Sequence, residues 1–354
     1  MLKRKLCEAT FTWKLTCDGP LLIADGRYDQ KQLPKDKGKY PDKVFISRAH
    51  PDAIHKAIES KTAETLGLPF YVPGTSLRGP FRAQAERIIR SLLPETATPP
   101  VTACDPFQND VPAHEQKDDK KNPLPLSCSK RLEAEKNKWP TVYAGACPAC
   151  KLFGCTATAS RIQFADADLA PGYSSVYRDM IGIDRFTGGV FQGERDEKGG
   201  KKSGGANMRF HALENTTFTA TVTVTNFELW QLGLLAYVFR DFQEGLIPIG
   251  FGKTKGFGLV KGTVEKITLT YPAGKAGGKI HHLGSLAFEN ERQGYDLYTA
   301  KEPAQPPGCN MTKEVSRGIT LYEAFSVTDL DGFWDAAASV FNLFIGAKSK
   351  EVTP

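Results

Sequence analysis

The chain has 354 residues, 40% of them hydrophobic, a length and apolar content that suit one elaborated domain or two ordinary ones and exclude wholesale disorder. Lys and Arg outnumber Asp and Glu by 46 to 40; the resulting formal charge of +6 is compatible with a nucleic-acid partner without selecting one. Residues 1–8 are basic with no apolar run behind them, and nowhere do about 18 apolar residues follow one another, so neither a signal peptide nor a membrane span is expected and a cytoplasmic location follows.

Phe11, Trp13, Leu15 and Cys17 alternate with Thr12, Lys14 and Thr16, which predicts a half-buried strand. A polar stretch from 18 to about 68 follows, carrying Asp18, Asp25, Asp29, Asp36, Asp42 and Asp52. Pro80 suits a first helical position, so a helix is predicted from about there to Pro94. Its apolar stripe is Phe81, Ala85, Ile88, Ile89 and Leu92, and Arg82, Glu86 and Arg90 sit four apart on the exposed side.

From 94 to about 146 periodicity is lost, and so long a stretch needs a staple. Eight cysteines in a reducing compartment are expected as metal ligands and buried thiols rather than disulfides. Cys147-Pro-Ala-Cys150 has the spacing that lets two thiolates reach one tetrahedral ion, and Cys104 and Cys128 complete a four-cysteine ligand set for a structural Zn2+. Cys155 and His114 are the alternative ligands. A redox reading of the CxxC is weaker, because the redox motif follows a strand at a helix N-terminus and this pair follows a loop.

A short strand is predicted over 161–169 and a long hairpin over 179–211, with Ile181, Ile183 and Phe191 on its arms. Its tip bears Arg195, Lys198, Lys201 and Lys202 among glycines. Phe218, Ala220, Val222 and Val224 alternate with threonines in the clearest strand, 217–225. Thr225 and Glu228 have capping-box spacing before a helix with Phe227, Trp230, Leu234 and Val238, stopped at Gly245.

The loop Gly250-Phe-Gly-Lys-Thr-Lys-Gly-Phe-Gly258 leads into a last strand ending near Leu269. It matches neither a Walker loop nor a dinucleotide fingerprint. Its glycines leave backbone N–H groups free for phosphate, Lys253 and Lys255 add charge, and Phe251 or Phe257 offers a ring to a base; a tight turn with solvated lysines is the alternative. The order strand, helix, strand, strand, helix, strand predicts an α+β fold with a ferredoxin-like (RRM-like) core over 1–270. That core carries a zinc-stapled insertion (94–155) and a long thumb hairpin (179–211). Residues 271–354 form a C-terminal extension whose terminal helix presents Phe333, Ala337, Val340, Phe341 and Phe344 on one face.

Four motifs in register, Tyr71-Val-Pro-Gly-Thr-Ser-Leu-Arg-Gly79, Cys150-Lys-Leu-Phe-Gly154, Ile183-Asp-Arg-Phe-Thr-Gly-Gly189 and the 250–258 loop, resemble the RAMP superfamily of CRISPR effectors. The resemblance is closest to the repeated backbone subunits of type III interference complexes. It implies subunits stacked along a guide RNA, the partners being guide RNA (crRNA), complementary target RNA and the other subunits of the complex, with no membrane. It further implies guide contacts from Ser76, Arg78 and Arg82 at the first helix and from Lys253, Lys255 and Phe257. The hairpin, with Arg185 and Phe186, would act as a thumb between guide and target. In such subunits target RNA is cut by an aspartate between the first strand and first helix, acting with Mg2+ or a similar ion or positioning a ribose 2′-hydroxyl. Asp25 lies nearest the expected turn and Asp29 is second. A non-nucleolytic scaffold binds guide identically, and a guide-processing endoribonuclease using His50 and His55 is the rival enzyme class. Two departures from the family are Pro80, where a helix former is usual, and the length beyond 271, which suggests contact with a neighbouring subunit.

Overall fold

A computed structural model describes residues 3–28, 40–50, 68–108, 127–135, 138–191, 207–272, 280–298, 311–314 and 323–352. N-terminal alternation becomes β1 (Glu8–Cys17), with Ala9, Phe11, Trp13, Leu15 and Cys17 buried on one face. After β2 (Tyr71–Val72), α1 (Gly74–Leu92) buries Leu77, Phe81, Ala85 and Ile89 at helical spacing. This helix starts at Gly74, not near Pro80, which lies inside it. Proline there removes one ladder hydrogen bond, and Gly79 before it has no Cβ to clash with the ring, so the helix passes through.

The insertion contributes α2 (Cys128–Arg131), α3 (Trp139–Gly145) and α4 (Pro148–Phe153). Two short strands, β3 (Ile162–Phe164) and β4 (Ala167–Leu169), stand where one was predicted. The hairpin arms β5 (Ser174–Ile181) and β6 (Asn207–Glu214) form a two-stranded sheet of their own, longer at both ends than expected. Next come β7 (Thr216–Thr225) and α5 (Leu229–Gln243). The capping box of α5 is Glu228 with Gln231 instead of Thr225 with Glu228, because the chain first turns through Asn226 at φ 53. The remaining elements are β8 (Lys261–Tyr271), α6 (Leu283–Leu286), α7 (Glu289–Gly294), β9 (Met311–Glu314), β10 (Glu323–Val327) and α8 (Leu330–Val352).

The main sheet runs β2-β4-β7-β1-β8-β10-β9, with β3 also paired to β7. β1 is antiparallel to β7 and to β8, the latter ladder broken by a bulge between Thr12 and Trp13. Helices α1 and α5 cover its apolar face: Trp13 meets Phe81 edge-on at 5.2 Å and Phe242 at 5.0 Å. The opposite face presents Thr219, Thr221 and Lys14, which pairs with Glu265 at 3.5 Å. The segment beyond 271 joins the same sheet, β10 pairing with β8, and α8 lies on α5 with Phe344 stacked on Trp230 at 4.2 Å. Among the described residues no helix is long and apolar enough to cross a membrane.

The α5–α8 crossing depends on Gly233, where a Cβ would lie 2.0 Å from the Ala337 carbonyl oxygen. Gly233→Ala is expected to destabilise the protein by about 1–3 kcal/mol, as overpacking does. Thermal unfolding checks this; an unchanged Tm would mean that the two helices do not approach so closely.

Candidate functional site

Four buried cysteines, Cys104, Cys128, Cys147 and Cys150, bring their sulfurs within 4.8 Å of one another. The Cys104 and Cys150 sulfurs are 3.7 Å apart. An ion with Zn–S bonds of about 2.3 Å holds its sulfurs about 3.8 Å apart, so the donor set fits a closed tetrahedral site. Backbone N–H groups of Cys104 and Cys150 point at Cys147 Sγ (3.5 and 3.4 Å), and that of Cys147 at Cys128 Sγ (3.3 Å). Crowding by the Cys104, Cys128 and Cys147 sulfurs pushes the Cys150 thiol up, so all four ionise together only around a cation. Among the described residues Cys155 is not in the group; His114 lies outside them.

Two guanidiniums complete this centre. Arg82 Nη2 is 3.4 Å from Cys150 Sγ, and Arg131 Nη2 is 3.4 Å from Cys128 Sγ. Arg82 also donates to the Gly154 carbonyl at 2.9 Å and to Glu86 at 2.7 Å, while Arg78 donates to the Phe153 carbonyl. Those carbonyls end α4 and lack helical partners, which makes them natural acceptors for arginine. The expectation that Arg82 and Glu86 face solvent is thereby corrected: Glu86 is buried, and the insertion covers that side of α1. Arg78 and Arg82 point into the protein, whereas Ser76 is half-buried in the first turn of α1. The spacing of Cys128 and Arg131, three apart on one helix, is a signal that would have found Arg131.

A second cluster forms where the segments after β1 meet the Gly-rich loop and the root of the hairpin. The loop is built on close approach: a Cβ on Gly258 (φ 75) would lie 1.9 Å from the Ile249 carbonyl oxygen, and one on Gly250 (φ 78) 2.4 Å from that of Leu22. Its Phe251 and Gly258 amides donate to the Leu22 and Pro20 carbonyls, both at 2.8 Å, so these two serve the fold and are not free for phosphate. Phe257 is a correction as well: it is buried, 6.4 Å from Phe210, and Phe251 is the more exposed ring. Lys253 and Lys255 project from the loop's exposed turn without an acidic partner among the described residues.

Beside this loop Asp25 is 1% exposed. Arg27 holds both its oxygens, Nε to Oδ1 at 3.0 Å and Nη2 to Oδ2 at 2.7 Å, and ties them to the Ser47 carbonyl. Burial pushes the Asp25 carboxyl up, but these hydrogen bonds and the Arg27 charge outweigh it and hold the group below the usual carboxylate range. Asp42, which spacing did not distinguish from its neighbours, sits beside the outer half of the hairpin arms, where Oδ2 accepts the Arg209 N–H at 2.7 Å. Its Oδ1 has no hydrogen bond among the described residues, and Lys43 beside it is exposed. Asp29, His55 and the hairpin-tip cations lie outside the described residues; His50 is exposed in the 40–50 segment.

The same surface continues to the start of α1. Arg48 bridges Asp166 (3.2 Å) and Asp168 (2.9 Å), and Asp166 accepts the Gly74 N–H at 3.0 Å. On the hairpin, Asp184 caps a turn through the Phe186 and Thr187 amides, leaving Phe186 fully exposed next to Arg185.

The sequence model of the RAMP superfamily matches residues 14–261, a span that takes in the cysteine tetrad, the hairpin and the Gly-rich loop. No curated protein matches the chain.

His211 locks the middle of the hairpin arms to the 40–50 segment. Its Nδ1 accepts the Phe45 N–H at 3.3 Å, which places the proton on Nε2, 2.6 Å from Ser175 Oγ. Burial pushes its pKa down to about 4 from 6.5. A neutral His211 therefore contributes stability fully above pH 6.5 that is lost as pH falls through that window towards 4, about 3 kcal/mol in all. Denaturant unfolding of the wild type and His211→Gln across this range checks the sign: the variant is expected to show the shallower pH dependence.

Proposed function

We propose, from the premise that the chain belongs to the RAMP superfamily, that it is a guide-RNA-binding backbone subunit of a type III CRISPR effector in the cytoplasm, and that it cleaves guide-paired target RNA. The observation that carries this reading is the continuous surface joining the Gly-rich loop, the segments after β1 and the hairpin root. Lys43, Lys253 and Lys255 stand there exposed and without acidic partners among the described residues, and Arg185 is exposed farther out, beyond the distal end of the hairpin arms. The open sheet face carries threonines and a Lys14–Glu265 pair instead of the aromatic platform on which RRM-type sheets stack bases. Contact through phosphate and sugar follows, as a subunit that accepts any guide sequence requires. The order β4-β7-β1-β8, antiparallel throughout, supports a ferredoxin-like core, and the cysteine tetrad supports a structural Zn2+.

The cleaving carboxylate belongs to the 18–42 loop. Asp25 is fully engaged by Arg27, which favours a clamp role for it and, as a second reading, a scaffold without cleavage. Asp42 has an oxygen with no hydrogen bond among the described residues, beside the outer half of the hairpin arms, and Asp29 remains the other candidate acid.

Cleavage of labelled, guide-complementary RNA by the assembled complex, with and without Mg2+, tests this reading. Asp42→Ala or Asp29→Ala is expected to remove product at undiminished target binding. Full cleavage by both variants, and by Asp25→Asn, leaves the scaffold reading. Lys253→Gln and Lys255→Gln are each expected to weaken guide binding and to reduce the salt slope by roughly 0.7. A slope that does not change would remove the loop from the interface.

A further inference from the structure

We propose that Arg82 and Arg131 form a cationic clamp that neutralises the cysteine tetrad and sets how tightly it keeps its metal. The proposal rests on the reading that the tetrad holds Zn2+. A dication bound by four thiolates carries two negative charges, and Glu86, hydrogen-bonded to Arg82, adds a third. The guanidiniums touching these groups are Arg82 on Cys150 Sγ, Arg131 on Cys128 Sγ, and Arg90 on Glu86 at 3.5 Å and on the Cys104 carbonyl at 2.6 Å. The three guanidiniums thus balance the three negative charges, with Arg90 half-exposed and Arg82 and Glu86 largely buried, which lowers the desolvation cost of the buried members.

Geometry separates this clamp from ordinary packing. Arg82 spends Nε on Glu86 and Nη1 on the Gly154 carbonyl, and Nη2 is aimed at Cys150 Sγ. Arg131 Nη2 is shared between the Gly145 carbonyl at 2.5 Å and Cys128 Sγ. A neutral thiol is a poor acceptor for a buried guanidinium; a metal-bound thiolate is a good one, and charge-assisted. Donors to ligating sulfur also draw electron density from it, the outer-sphere means by which proteins tune a bound metal. The two arginines come from separate elements, α1 and α2, so the clamp also joins the core helix to the insertion through the metal centre.

The test uses the full chain. Zinc content is measured first, then affinity by competition with a chromogenic chelator at neutral pH, then the sulfur-to-metal charge-transfer band of the Co2+-substituted protein. Arg82→Gln and Arg131→Gln are each expected to lower zinc affinity about 10- to 100-fold and to move the Co2+ band to longer wavelength. Arg131→Lys, which keeps the charge, is expected to regain part of the affinity. Loss of packing alone would not shift the band. Wild-type affinity and an unmoved band in both glutamine variants would overturn the clamp while leaving the zinc reading intact. A wild-type chain that binds no zinc would overturn the zinc reading itself, and the clamp with it. If Arg82→Gln fails to fold, the Arg131 pair of variants, off α1, decides the question by the same two readouts.

Discussion

The indole of Trp13 sits where the central strand meets both covering helices, edge-on to Phe81 of α1 and to Phe242 and Phe239 of α5. Such pairs add about 0.5–1.5 kcal/mol each beyond the area they bury. Its Nε1 is buried with no hydrogen-bond partner, at a cost of about 1–3 kcal/mol, so the aromatic contacts must outweigh that loss. Gly262 on β8 leaves room for the ring, since a Cβ there would lie 2.5 Å from Nε1. A one-residue slip of β1 would turn Trp13 to the threonine face and undo the attachment of both helices at once. The candidate RNA surface and the cysteine tetrad are both placed by this register, because the segment after β1 and the approach to α1 lead out of it.

From α1 the order passes to the insertion. Arg78 and Arg82 hold the free carbonyls at the end of α4, and α4 in turn carries Cys150, with Cys147 at its N-cap. Two of the family motifs, 71–79 and 150–154, are thus one structural joint seen from its two sides. The arginines there are committed to the protein, and exposed cations without an acidic partner among the described residues lie elsewhere, Lys253 and Lys255 on the Gly-rich loop and Arg185 on the hairpin. Charge that folds the molecule and charge that faces solvent are segregated, although both look alike in a string of basic residues.

That segregation explains which parts were legible in the sequence. The alternating runs at Phe11–Cys17 and in β7 were readable because one face is buried and the other is not, so periodicity records burial directly. The cysteine tetrad was readable because an aperiodic stretch has to be stapled by something. Arg82 and Glu86 misled because pairs four apart on a helix have the pattern of a solvated face, and only the distant 150–154 segment covers them. Phe257 misled because a glycine-rich loop can fold either side of itself inward, and here contacts with Leu22 and Pro20 decide it. Strand β10 has too few residues to show a period; it is a strand because β8 offers an edge. The fold's main strands are local in their signal, whereas the site is assembled from segments whose neighbours are set by tertiary contact.

The central place of β1 has a further effect, on how the molecule comes into being. Both of its ladder partners, β7 and β8, lie some two hundred residues or more downstream. On a ribosome adding about 5–20 residues per second, β1 emerges and waits roughly 10–50 s before Thr216–Tyr271 exists to pair with it. Through that interval Phe11, Trp13 and Leu15 sit on a strand with two open edges, the type of segment that associates with its own kind. The register that makes β1 the centre of the finished sheet thus also makes it the strand that stays unpaired longest during synthesis.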